Sequence, residues 1–146
     1  TLGADVPVFV AGRAAWAEGI GQQLTPLDLP QPWYLVIMPD CRVRTADVFQ
    51  APGLTRNSAP ITISRFLARG GGNDCTAVVR QRYPKVARAL DWLDQFGEAR
   101  LTGTGACVFA PFDGEREARE AGAKAPPEWL AIVAAGRNRS PLLDIT

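Results

Sequence analysis

A continuous apolar run, Trp33-Tyr34-Leu35-Val36-Ile37-Met38, closed by Pro39, constrains this chain more than any other feature. Six residues are few for a helix, and apolar side chains at every position predict a strand covered on both faces. Such a strand belongs in the middle of a sheet, so the rest of the chain has to supply neighbours for both of its edges.

The downstream sequence supplies them. Thr45 is placed to cap a short helix through residues 45–50, stopped by Ala51-Pro52-Gly53, and a second helix is expected from Pro60 to Leu67. After Gly70-Gly71-Gly72, apolar residues recur at helical spacing from Val78 to Leu93, interrupted by Pro84. That predicts two consecutive helices, over 75–82 and 84–96, the second ending at Gly97. Residues 99–112 read as two strands around Gly103-Thr104-Gly105. Residues 114–124 read as an exposed helix with Glu115 and Arg119 paired at i,i+4, and 129–136 as a last strand. The order strand, helices, strand, strand, helix, strand is the split βαβ arrangement. The expected fold class is therefore α+β: a ferredoxin-like, four-stranded antiparallel sheet with helices packed on one face.

Upstream, Asp5 followed by VPVFV with Pro7 predicts a short helix from residue 6, with a buried strand as the competing reading. Two short strands are expected around Gly19 and Gly21, and the Pro-rich joint at 29–32 is a candidate domain boundary. The sequence opens Thr1-Leu2-Gly3-Ala4-Asp5 and runs at once into an apolar element, which reads as the downstream part of a longer chain.

Composition narrows the chemistry. Sixteen Lys and Arg against fifteen Asp and Glu leave a net charge of +1, with no basic surplus for nucleic acid or an anionic membrane. The chain has no histidine, which removes Ser-His-Asp and Cys-His systems and His-ligated metal sites. Cys41, Cys75 and Cys107 form no CxxC pair, so no metal site is expected and reduced thiols in a cytoplasmic protein fit best.

A few residues remain that could carry chemistry. Gly103-Thr104-Gly105 can turn its backbone N–H groups toward an anion, although from local sequence alone a plain hairpin turn is the better account of the glycines. Gly70 to Gly72 lacks the Lys and the Ser/Thr of a phosphate-binding P-loop and reads as a connector. Asp5 is either a helix cap or a carboxylate held in a fixed direction for general-base work. Most aromatics lie on apolar faces, but Phe49 follows a helix start and could present its ring to a ligand.

Together, LGADVPVFVAGRAAWAEGIGQQLTPLDLP, PWYLVIMP, NDC, RLTGTGACVFAPF and the closing SPL resemble the downstream half of a kinase of the GHMP superfamily. Within it they resemble the branch that acts on a cytidine-diphosphate-linked methylerythritol. The resemblance runs in order over nearly the whole chain. It implies transfer of the γ-phosphoryl group of ATP to the substrate 2-hydroxyl with Mg²⁺, in the non-mevalonate route to isoprenoids. It places the catalytic aspartate at Asp5 and the third superfamily motif at Thr102 to Ala106, with Gly103, Thr104 and Gly105 beside the phosphates. It also places Thr45 near the substrate and Phe49 against the cytosine.

The same resemblance implies that residues 1–30 are the tail of an N-terminal kinase domain and 31–146 the C-terminal domain. The family's main ATP-binding loop, and the Lys that partners its aspartate, lie upstream of GADVP and are absent here. The chain alone is therefore expected to be inactive, with the missing N-terminal half as its partner. Two other readings are a GHMP kinase for another small alcohol and a non-catalytic ferredoxin-like binding module.

Overall fold

The apolar run does form a strand at the centre of a sheet. The computed structural model, which describes residues 6–144, gives α1 (Val6–Ala11), β1 (Ala15–Glu18), β2 (Gln23–Pro26), β3 (Trp33–Met38) and α2 (Thr45–Phe49). Then follow α3 (Ile63–Arg69), α4 (Cys75–Arg82), α5 (Pro84–Leu93), β4 (Arg100–Leu101), β5 (Val108–Phe112), α6 (Glu115–Gly122), β6 (Leu130–Ala135) and a 3-10 turn at Pro141–Asp144. Two units emerge. One holds the described residues up to Gln31 with Thr62–Arg69 and the segment from Gly136; the other holds Pro32–Ile61 and Gly70–Ala135.

In the second unit β3 pairs antiparallel with both β5 and β6, and β4 adds to the free edge of β5, giving the order β4-β5-β3-β6. This is the α+β, ferredoxin-like topology expected from the element order. The register puts Leu35 opposite Ala110 and Val133, and Ile37 opposite Val108 and Ala131. Leu35, Ile37, Val108 and Ala110 are fully buried, and α5 and α6 pack on that sheet. The α5 contribution is Val86, Ala89, Leu90 and Leu93, a stripe at i, i+3, i+4 and i+7 with no exposure. Burying each larger aliphatic side chain of this set contributes roughly 1.5–3 kcal/mol before the entropy of ordering is counted.

The other face of β3 differs from expectation. Tyr34 and Val36 are half-buried and Met38 is 42% exposed, because successive side chains alternate across the sheet and the helices of this unit cover one side. Tyr34 and Phe109 meet there edge to face with ring centroids 5.7 Å apart.

Several element boundaries shift for identifiable reasons. α3 begins at Ile63 rather than Pro60, since the Thr62 hydroxyl accepts the Arg65 N–H at 3.2 Å and so supplies the cap. α5 ends at Leu93 rather than at Gly97, where the Asp94 carboxylate turns forward to accept the Ala99 N–H at 2.9 Å. β4 is only two residues long.

In the first unit residues 6–11 are helical, which decides against the strand reading. Gly12 ends α1 at φ +61° with its N–H on the Val8 carbonyl, and an added Cβ would lie 2.8 Å from the Leu143 side chain. β1 and β2 form a hairpin, and Trp16 packs on Phe66 at 5.5 Å. The Asn138 side chain pairs with the Leu29 backbone in both directions, accepting its N–H at 3.0 Å and donating to its carbonyl at 2.8 Å.

Candidate functional site

The glycine turn between β4 and β5 is closed by two backbone bonds, from the Thr102 N–H to the Cys107 carbonyl and from the Gly105 N–H to the Thr102 carbonyl. Gly103 and Gly105 take φ of +50° and +88°, a path that L side chains rarely follow. At Gly105 space is also short, because a Cβ there would stand 3.1 Å from Leu101 Cδ1. Among the described residues the N–H groups of Gly103, Thr104 and Ala106 donate to no backbone carbonyl. The turn therefore offers free amide donors of the kind that receive phosphate oxygens.

Asn73 braces this turn, a role that the sequence reading did not assign. Its Nδ2 donates to the carbonyls of Leu101 at 3.0 Å and Gly103 at 2.7 Å, while its Oδ1 accepts the Cys75 N–H at 2.9 Å. One amide thus ties the turn to the first residue of α4. In sequence it stands in the NDC segment, an Asn directly before the Asp-Cys that opens a helix, which local rules read as turn chemistry.

The other side of the site is α2. Thr45 does not cap it: Arg44 holds the cap position, no side chain bonds the free N–H groups, and Thr45 is the first helical residue. Its hydroxyl instead lies 3.0 Å from the Thr104 hydroxyl. Phe49 is four residues further along and so falls on the same side of the helix. Phe49 is 56% exposed, while neighbouring Val48 is fully buried and anchors the helix. Thr45, Phe49 and the Gly103-Thr104-Gly105 turn are therefore brought together on one unit. A hydroxyl both donates and accepts, so the Thr45–Thr104 pair keeps a free donor for a ligand oxygen.

Asp5 lies outside the described residues. Among the described residues no group of three or more His, Cys, Asp or Glu side chains converges, so they do not fit a protein cage for Mg²⁺. Cys75 is buried at the start of α4, where burial and then the adjacent Asp74 carboxylate push its thiol up from its ordinary value. That is the opposite of an activated nucleophile.

The family model described as GHMP kinases C terminal matches residues 53–131, and the chain belongs to that family. Among its relatives, the 4-diphosphocytidyl-2-C-methyl-D-erythritol kinase of Nitrosococcus oceani is 59% identical over 98% of this chain and 51% of its own length. The protein of the same name from Alkalilimnicola ehrlichii is 57% identical over 97% of the chain and 49% of its own. A crystal structure of 4-(cytidine 5'-diphospho)-2C-methyl-D-erythritol kinase superposes with a TM-score of 0.71 at 30% identity, covering 93% of this chain and 55% of that one. The chain spans about half the length of the curated relatives it matches. Among the described residues no helix is long and apolar enough to cross a membrane.

Proposed function

We propose that this chain is the downstream half of an ATP-dependent kinase that phosphorylates the 2-hydroxyl of 4-diphosphocytidyl-2-C-methyl-D-erythritol, a cytoplasmic step of non-mevalonate isoprenoid synthesis. The observation that carries the reading is 59% identity, across 98% of the chain, to a relative bearing that enzyme's name. The geometry of the site supports it. Phosphoryl transfer is mostly positioning and charge stabilisation, and the free amides of the glycine turn are suited to phosphate oxygens. Phe49 offers a sequence-tolerant stacking surface for cytosine, worth about 1–3 kcal/mol. The hydroxyls of Thr45 and Thr104, 3.0 Å apart, link α2, which carries Phe49, to the glycine turn.

In this reading Asp5 orients or deprotonates the attacking hydroxyl, and the chain's partner is the other half of the same enzyme, which holds the main ATP loop. Mg²⁺ bound with the nucleotide would supply positive charge beside the phosphates, and no carboxylate cluster of the described residues is assigned to it. The domain boundary falls near residue 30: residues 1–30 belong to the tail of the N-terminal kinase domain, and the C-terminal domain starts at 31. Two later segments, Thr62–Arg69 and the one from Gly136, group with the first unit.

The test uses full-length enzyme. Asp5→Asn should abolish ADP release with the cytidylyl substrate, whereas Phe49→Ala should raise KM roughly 5- to 150-fold, the range that loss of one stacking contact covers. Normal turnover in Asp5→Asn overturns the catalytic assignment, and an unchanged KM in Phe49→Ala points to a different alcohol.

A further inference from the structure

α2 is five residues long; backbone N–H groups of Gln50 and Ala51 reach its Ala46 and Val48 carbonyls, and the Phe49 carbonyl at its end is met by a side chain. The Arg56 guanidinium occupies its end. Nη2 donates to the carbonyls of Phe49 at 2.6 Å and Ala51 at 3.1 Å, and Nη1 donates to that of Leu54 at 3.1 Å. Among the described residues Arg56 forms no ion pair, so its donors are committed to backbone. Three carbonyls are gathered by one planar fork, which the single nitrogen of a lysine could not span. Val48 and Ala51 fix the inner side of this turn at 0% and 1% exposure, but Phe49 projects outward at 56%. Its direction is therefore set by the backbone at 49–51, and Arg56 holds that backbone.

The geometry points to Arg56 as a positioning residue for specificity, one that aims the Phe49 ring at its ligand by clamping the last carbonyl of α2 to those of Ala51 and Leu54 in the turn that follows. This rests on the reading of Phe49 as the ring that stacks on the cytosine. Arg56 touches neither substrate nor phosphate in this account, so its effect should pass entirely through Phe49.

The experiment is a double-mutant cycle on the full-length enzyme with the cytidylyl substrate, read as separate KM and kcat values. Arg56→Ala should raise KM roughly fivefold to tenfold, the lower part of the range set by one stacking contact, with kcat within about twofold of wild type. Phe49→Ala/Arg56→Ala should be no worse than Phe49→Ala alone. Added guanidinium ion should lower the KM of Arg56→Ala toward wild type and leave Phe49→Ala unchanged. Arg56→Lys, which keeps the charge and loses the fork, should behave as Arg56→Ala and is the variant to read if the alanine form does not fold. A wild-type KM in Arg56→Ala, or effects that multiply in the double variant, overturns the inference while leaving the functional reading intact. A wild-type enzyme that does not phosphorylate the cytidylyl substrate overturns both.

Discussion

Gly105 and Gly103 sit two residues apart in one turn, yet they face different constraints. Gly103, at φ +50°, has nothing within 4 Å of the place a Cβ would take, so a side chain there meets only backbone strain. Gly105, at φ +88°, adds a 3.1 Å approach to Leu101 Cδ1. We expect Gly105→Ala to destabilise by about 2–4 kcal/mol and Gly103→Ala by about 1–2, measured as urea unfolding midpoints on the full-length protein. Equal costs would show that space at Gly105 is not limiting. The sequence shows both glycines but not this difference, which depends on Leu101 facing the turn. Phe49 stands out in the sequence because it follows a helix start, and it is exposed although Thr45 does not cap that helix; the burial of Val48 and Ala51 beside it is seen only in the structure.

At the scale of elements, the tie between the glycine turn and α4 is a side chain, Asn73, in place of a backbone ladder. Asn73→Ala should cost about 1–3 kcal/mol, because two turn carbonyls and one helix N–H lose their partner together. Asn73→Asp keeps the acceptor for the Cys75 N–H but turns a carboxylate oxygen toward the Leu101 and Gly103 carbonyls, so its cost should equal or exceed that of Asn73→Ala; a smaller destabilisation would show that the Cys75 bond carries the tie. Periodicity located α4, α5 and α6 because their apolar or charged faces recur at helical spacing. The Glu115–Arg119 pair forms with bonds of 2.6 and 2.8 Å. Where side-chain bonds decide, periodicity failed: the Thr62 cap moved the start of α3, and Asp94 ended α5 before Gly97. Thr45 was placed near the right helix end but with the wrong task, since its hydroxyl is engaged across the site by Thr104.

On the scale of the whole molecule, contacts between residues far apart in sequence decide which segments belong together. Asn138 reaches Leu29 across 109 positions and substitutes a side-chain amide for a strand partner. Asn138→Ala should lower stability by about 1–3 kcal/mol in denaturant titration, without altering the KM of the cytidylyl substrate, whose proposed stacking contact at Phe49 lies in the other unit. A changed KM would contradict that separation. No periodicity in the last ten residues announces this pairing, so sequence reading left the tail without a structural role. The chain matches relatives about twice its length, and the catalytic account needs the other half of such an enzyme. The central claim is therefore tested most directly by ADP release from the full-length protein with ATP, Mg²⁺ and 4-diphosphocytidyl-2-C-methyl-D-erythritol, beside a panel of other small alcohols. Turnover confined to the cytidylyl substrate is the predicted result. Turnover with another alcohol, or with none, would contradict the account.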